Sequence, residues 1–285
     1  MEAGMRMTNL TVAGPATESL KVGAGSSRTN LHKMLRVAFE KSVAIVAFLA
    51  LWELVPRLGI VDSAFLPAFS QVVASGVSFA LSGQLWPHVE VSLLRALGGF
   101  ALGVLTGVPA GIVLGWYPSV ERYFNPLLQL LRQTNPVSLL PVFILFFGLG
   151  YFTKIAIIYW VVVWPILLGA MSGVRYVDPA LIKYGRSLAL SDWQLFTRIV
   201  VPSSIPSIVT GMRLAATYSF LMLVVSEMVG ANSGLGYLVV NSQYLMSIDL
   251  LYVGVIILAL LGVTANVLLV WLERSLTSWN LEIEN

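Results

Sequence analysis

The chain has 285 residues, of which 57% are hydrophobic and 11% charged, with a formal net charge of +3; ordinary soluble domains carry roughly 25% charged residues. With a mean hydropathy of +0.84 and no cysteine, the composition leaves no room for a separate soluble domain, and it excludes disulfides and thiolate metal sites. The remaining solution is a polytopic membrane protein of the all-α class, long enough for about six transmembrane helices.

Residues 1–35 are small, polar and rich in Gly, Ser and Thr without helical or alternating pattern, which predicts a disordered tail. The transmembrane domain is expected over 36–280. Its apolar runs predict helices over 38–56, 92–116, 124–148, 153–174, 205–229 and 250–272, with a polar connection over 57–90. Each approaches the ~20 residues a helix needs to cross a bilayer. The strict alternation of a barrel strand is missing.

Within the second run Gly99, Gly103, Gly107, Gly111 and Gly115 recur every fourth residue, and Gly169 and Gly173 repeat the spacing in the fourth. A bare helical stripe of this kind lets another backbone approach closely. The third run contains LLRQTNPVSLLP. Pro136 and Pro141 make an unbroken helix unfavourable there, and non-helical backbone at membrane depth survives only against protein or water. Arg132, Gln133, Thr134, Asn135 and Ser138 are therefore candidate cavity-lining residues, with Arg132 alternatively a cytoplasmic-end residue that snorkels to the interface. Glu53, near the end of the first run, suits an interfacial position or a pair with Arg57. Glu227, at the end of the fifth run, has two readings: a buried pair with an arginine, or a gate or solute contact.

One polar island, residues 175–202, interrupts the apolar runs. Asp178 before Pro179 is a helix start. Ser191 with Gln194 three residues on is a capping box. These signals predict a helix from Pro179, a tight break near Ala189–Leu190, and a second helix from Asp192 that Pro202 limits. A structured elbow on a short loop suggests a docking element.

Charge orients the runs. Arg6, Lys21, Arg28, Lys33, Arg36, Lys41, Arg122, Arg175, Lys183, Arg186, Arg198 and Arg274 all fall on one side if the N-terminus is cytoplasmic, while Arg57, Arg95 and Lys154 fall on the other. Both termini and the island are then cytoplasmic. The chain has no P-loop motif, and His32 and His88 have no metal-ligand spacing. No nucleophile motif appears either, so an enzyme reading has no constellation to stand on. A secondary transporter or channel would leave the elbow without a use, and no repeat relates the two halves.

The island resembles the EAA loop of permease subunits of bacterial ABC importers of the binding-protein-dependent type, nearest to the sulfonate, taurine and nitrate permeases. The stretches that carry the resemblance are FLPAFSQVV at 65–73, SLLRALGGFALGVLTGVPAGIVLGW at 92–116, LLPVFILFFGLGYFTKI at 139–155, GVRYVDPALI at 173–182, SDWQLFTRIVVPSSIPSIVTGMRLA at 191–215 and SEMVGANSGLGYLV at 226–239. The sequence departs at the name-giving motif. Lys183, Tyr184 and Gly185 stand where Glu-Ala-Ala is usual, and Ala189 stands where the motif glycine is usual; Pro202 is kept.

The resemblance implies a type I importer permease fold in the bacterial inner membrane, acting as a homodimer in contact with lipid and with no nucleic acid. It implies a periplasmic substrate-binding protein and two ABC ATPase subunits, which carry ATP and Mg; this chain itself needs no cofactor. Coupling to the ATPase would fall to Lys183, Arg186, Ala189, Leu190, Ser191, Asp192, Trp193, Gln194 and Phe196, with Trp193 and Phe196 as apolar knobs. The pathway would be lined by Arg132, Thr134, Asn135, Ser138 and Glu227. The solute implied is a small oxyanion such as a sulfonate, taurine or nitrate, the alternative being a small neutral or vitamin-precursor solute.

Overall fold

The computed structural model describes residues 43–276. The expected tail over 1–35, the start of the first expected span and the last nine residues lie outside them. The chain divides into two compact units between Trp52 and Glu53. Residues 43–57 form helix α1, where the rings of Phe48 and Trp52 meet edge to face at 6.1 Å.

The second unit holds the remaining helices: α2 (Phe69–Leu81), α3 (Leu85–Trp116), α4 (Pro118–Gln133), α5 (Pro136–Phe147), α6 (Tyr151–Arg175), α7 (Pro179–Ser187), α8 (Asp192–Leu195), α9 (Val201–Met228), α10 (Leu235–Tyr244) and α11 (Ile248–Leu276). No strand occurs among the described residues. At its start Glu53 pairs with Arg57 at 2.6 Å and accepts hydrogen bonds from the Ser70 N–H and Oγ–H, at 2.9 and 2.8 Å.

Four helical runs among the described residues are long and apolar enough to cross a membrane: Leu85–Trp116, Tyr151–Arg175, Asp192–Met228 and Ile248–Glu273. A fifth candidate is the pair α4–α5, bent by 94°. The expected span over 124–148 is thus not one straight helix. Pro136 pushes Asn135 to an extended conformation, φ −65° and ψ 118°, and the helix breaks over Thr134–Asn135.

α6 runs between α3 and α9, and glycines set both contacts. A Cβ at Gly99 would lie 2.5 Å from Ile158, one at Gly103 2.6 Å from Val162, and one at Gly115 2.7 Å from the Met171 carbonyl. On the opposite side a Cβ at Gly169 would lie 2.8 Å from the Ser207 carbonyl, and one at Gly211 2.6 Å from the Pro165 carbonyl. Lipid tails are as apolar as leucine, so burial alone does not drive these helices together; close backbone packing does. Ala96, Ile158, Val162, Ile166, Ala215 and Leu223 form the resulting core.

Three boundaries differ from expectation. α3 starts at Leu85 rather than residue 92. α2 and α10 lie in stretches expected to be loops, because Leu85, Leu235 and Leu238 bury a small core there with Phe79, Val89 and Ile257. The second island helix does not end before Pro202. It passes through a π turn, Phe196–Val200, into α9. Pro202 has no N–H for the Arg198 carbonyl, and the wider turn absorbs the defect: the Val201 N–H bonds the Phe196 carbonyl, five residues back.

Candidate functional site

Three features of the second unit carry polar chemistry. The first is an open cavity of about 850 Å³ between the α4–α5 break and the facing sides of α6 and α9. Its wall includes Arg132, Thr134, Trp160, Trp164, Ser172, Ser207, Thr210 and Tyr218. Among the described residues of the lining, Arg132 is the only lysine, arginine or carboxylate. Its guanidinium donates to Gln129 Oε1 at 2.8 Å and makes no ion pair among the described residues. Thr134 donates its hydroxyl to the Leu130 carbonyl at 3.1 Å. Trp164 Nε1–H is buried without an acceptor among the described residues.

The sequence placed Asn135, Ser138 and Glu227 beside Arg132 and Thr134, and the structure separates them. Asn135 is exposed, and its Oδ1 accepts the Val137 N–H at 3.0 Å as the N-cap of α5. Ser138 is exposed outside the cavity wall. Ser207 and Thr210, from α9, supply wall hydroxyls that sequence reasoning missed. They lie on one face of a helix whose orientation only tertiary packing fixes.

Glu227 belongs to the second feature, a buried ionic knot. Arg95 Nη1 donates to Glu227 Oε1 at 2.8 Å and to the Ser233 carbonyl at 2.8 Å. The Ser92 hydroxyl lies 2.9 and 2.8 Å from the two carboxylate oxygens, and the Gly236 N–H donates to Oε2 at 2.9 Å. The Leu235 N–H donates to Ser92 Oγ, the Gly234 N–H to His88 Nδ1, and Lys154 Nζ to the Val229 carbonyl. Gly234, at φ +116°, has no space for a Cβ against the Glu227 carboxyl group. The knot ties the loop 229–234 and the start of α10 to α3 and α6. Of the two readings of Glu227, the arginine pair is the one found. A buried pair is supportive only when its remaining polar atoms are satisfied; here the Ser92 hydroxyl and the Gly236 amide satisfy the carboxylate, while Arg95 Nε–H is buried without an acceptor among the described residues.

The third feature is the elbow. Asp178 Oδ1 accepts the Ala180 N–H at 2.7 Å and starts α7. α7 ends in a Schellman motif: Leu190 N–H to the Gly185 carbonyl at 3.3 Å, Ala189 N–H to the Arg186 carbonyl at 3.0 Å, with Ala189 at φ +54°. Ser191 and Gln194 form the expected capping box. Gly185 is buried, and a Cβ there would lie 2.6 Å from Ile199 and 2.7 Å from Leu195. That contact folds α7 back on the helix that follows.

The two expected knobs part company. Trp193 is 71% exposed. Phe196 packs its ring on Trp116 at 5.0 Å, in a cluster with Val174, Val177 and Val200. Lys183, Arg186 and Asp192 are exposed, and Leu190 is half-buried.

The family is decided by the chain from α3 onward. Residues 103–278 match the model of the binding-protein-dependent transport system inner membrane component. The chain belongs to this family. Among its relatives is the putative aliphatic sulfonates transport permease protein SsuC of Escherichia coli (strain K12), 35% identical over 82% of this chain and 89% of the relative. The protein of the same description from Bacillus subtilis (strain 168) is 32% identical over 81% and 84%. The taurine transport system permease protein TauC of Escherichia coli (strain K12) is 29% identical over 84% and 89%. The fold resembles a chain of the inward-facing MetNI methionine ABC transporter, with a TM-score of 0.61 at 16% identity, covering 68% of this chain and 98% of that one. The protein is therefore the permease subunit of an ABC importer, a multi-pass protein of the inner membrane, and not an enzyme.

Proposed function

We propose that this permease imports a small organic oxyanion of the sulfonate or taurine type, delivered by a periplasmic binding protein and driven by two ATPase subunits. The observation that carries this reading is the cavity at the α4–α5 break, whose lining holds a single formal charge, Arg132. A cation attracts the anion, and one lone charge among hydroxyls and indoles does not trap it; conduction needs contacts weak enough to release. The indoles of Trp160 and Trp164 in the wall add apolar surface that suits a short carbon chain. The names of the relatives support the same solute class.

In this reading two copies of the chain enclose the pathway. Both termini and the elbow face the cytoplasm, and each elbow seats Trp193 and its capped helix in one ATPase. The working set in the wall becomes Arg132, Thr134, Trp164, Ser207 and Thr210. Asn135 shapes the break rather than touching solute. The test is ATP-dependent uptake into proteoliposomes holding permease, ATPase and binding protein. A short alkanesulfonate should be accumulated and the neutral alcohol of the same length should not. Equal uptake of both would remove the anion assignment.

A further inference from the structure

Resting on that reading of the elbow, we infer that it docks into an acidic groove of the ATPase, with Lys183 and Arg186 meeting carboxylates and Trp193 as the apolar anchor. The elbow carries Arg175, Lys183, Arg186 and Arg198 against only Asp178 and Asp192. Both acids already serve the local fold. Asp178 caps α7. Asp192 sits in the first turn of α8, where a helix N-terminus favours negative charge. Arg175 has Glu121 at 3.6 Å. Lys183, Arg186 and Arg198 are exposed and form no ion pair among the described residues.

The free cations are placed together. Lys183 and Arg186 are three residues apart, so they neighbour each other on the helix surface. They lie away from Gly185, the position that α7 turns onto Leu195 and Ile199. Tyr184, Leu188 and Trp193 are exposed on the same elbow. Aromatic side chains and arginine are enriched at the centres of protein interfaces. A neutral partner covering this face would bury unpaired cations, and a basic partner would repel them. Carboxylates satisfy both demands. Lys183 also stands where the family pattern reads glutamate, so the contact at this position is inverted in sign. An ATPase matched to a glutamate here would present a cation to Lys183 and be rejected, which gives the pairing specificity.

The test is binding of the cognate ATPase to the full-length permease in nanodiscs, measured from low to high NaCl. Wild type should weaken steeply with salt, as screened charge pairs do. Lys183→Glu with Arg186→Glu should bind about tenfold more weakly at low salt and lose most of the salt dependence. Lys183→Arg should match wild type. Reversing an acidic residue of the ATPase groove to lysine should restore binding of the doubly reversed permease. Unchanged affinity and salt slope in the doubly reversed variant would overturn the inference. So would a change confined to nanodiscs rich in phosphatidylglycerol, which would assign the cations to lipid headgroups. Trp193→Ala separates the two readings: if it weakens binding and charge reversal does not, the elbow docks the ATPase but not through an acidic groove. If neither change weakens binding, the coupling assignment falls as well.

Discussion

Ala189 shows how much a single backbone angle tells. It ends α7 at φ +54°, a conformation that costs a residue with a Cβ about 1–2 kcal/mol and costs glycine little. The Schellman hydrogen bonds hold it there. Ala189→Gly should stabilise the detergent-solubilised protein by about 1 kcal/mol, read as a rise in thermal midpoint, and Ala189→Val should lower it. A lower midpoint for the glycine variant would show that the strain is absent. Glu227 argues in the other direction. Its carboxylate is fully buried on Arg95, Ser92 and the Gly236 amide. Glu227→Ala leaves the Arg95 charge buried and unpaired, at a cost of about 3–5 kcal/mol. Little folded protein should be recovered from that variant. The double change Arg95→Leu with Glu227→Leu should cost less than the two single changes added together, as coupled partners do. Strict additivity would mean that the two groups do not depend on each other.

Helices were legible in the sequence where the signal is local. Asp178 before Pro179 and Ser191 before Gln194 mark starts that the structure keeps, because a cap needs only residues two or three apart. The glycine row was legible for the same reason: five positions on one stripe suit close helix packing or a pore lining, and the face of α6 fills it. The ionic knot was not. Arg95 and Glu227 are 132 positions apart, and no periodicity links them. Nor was the split between Trp193 and Phe196, two aromatic residues three apart, since Trp116 on another helix decides which one is half-buried and which stays exposed. Pro202 misled because it reads as a stop, while a π turn absorbs it. At this scale Gly103→Val should wedge α3 from α6, since even a Cβ lies 2.6 Å from Val162. Loss of monodisperse protein in size-exclusion chromatography is the expected outcome; a normal profile would show that the two helices can part without harm. Trp193→Ala should leave the fold intact, because the side chain is exposed. It should abolish the stimulation of ATPase activity by loaded binding protein. Retained stimulation would move coupling away from α8.

At the largest scale, the second unit carries the elbow at one end of α9 and the knotted loop at the other, with the cavity beside the glycine-packed core. Helices packed through backbone contacts transmit displacement as stiff rods, because the interface cannot slide without steric overlap. The proposed orientation rests on twelve basic residues that share one side of the membrane if the N-terminus is cytoplasmic. Since the chain has no cysteine, a single cysteine at position 192 should be labelled by an impermeant maleimide only after the cytoplasmic side is opened. The most direct test of the central claim is uptake of a short alkanesulfonate into proteoliposomes by wild type and by Arg132→Gln, with ATPase assembly verified. The exposed side chain makes no ion pair among the described residues, so assembly should survive its replacement. Loss of the cavity's lone charge should lower the uptake rate about tenfold at low solute concentration while stimulated ATP hydrolysis persists. Wild-type uptake by Arg132→Gln would contradict the assignment of this cavity as the anion's route.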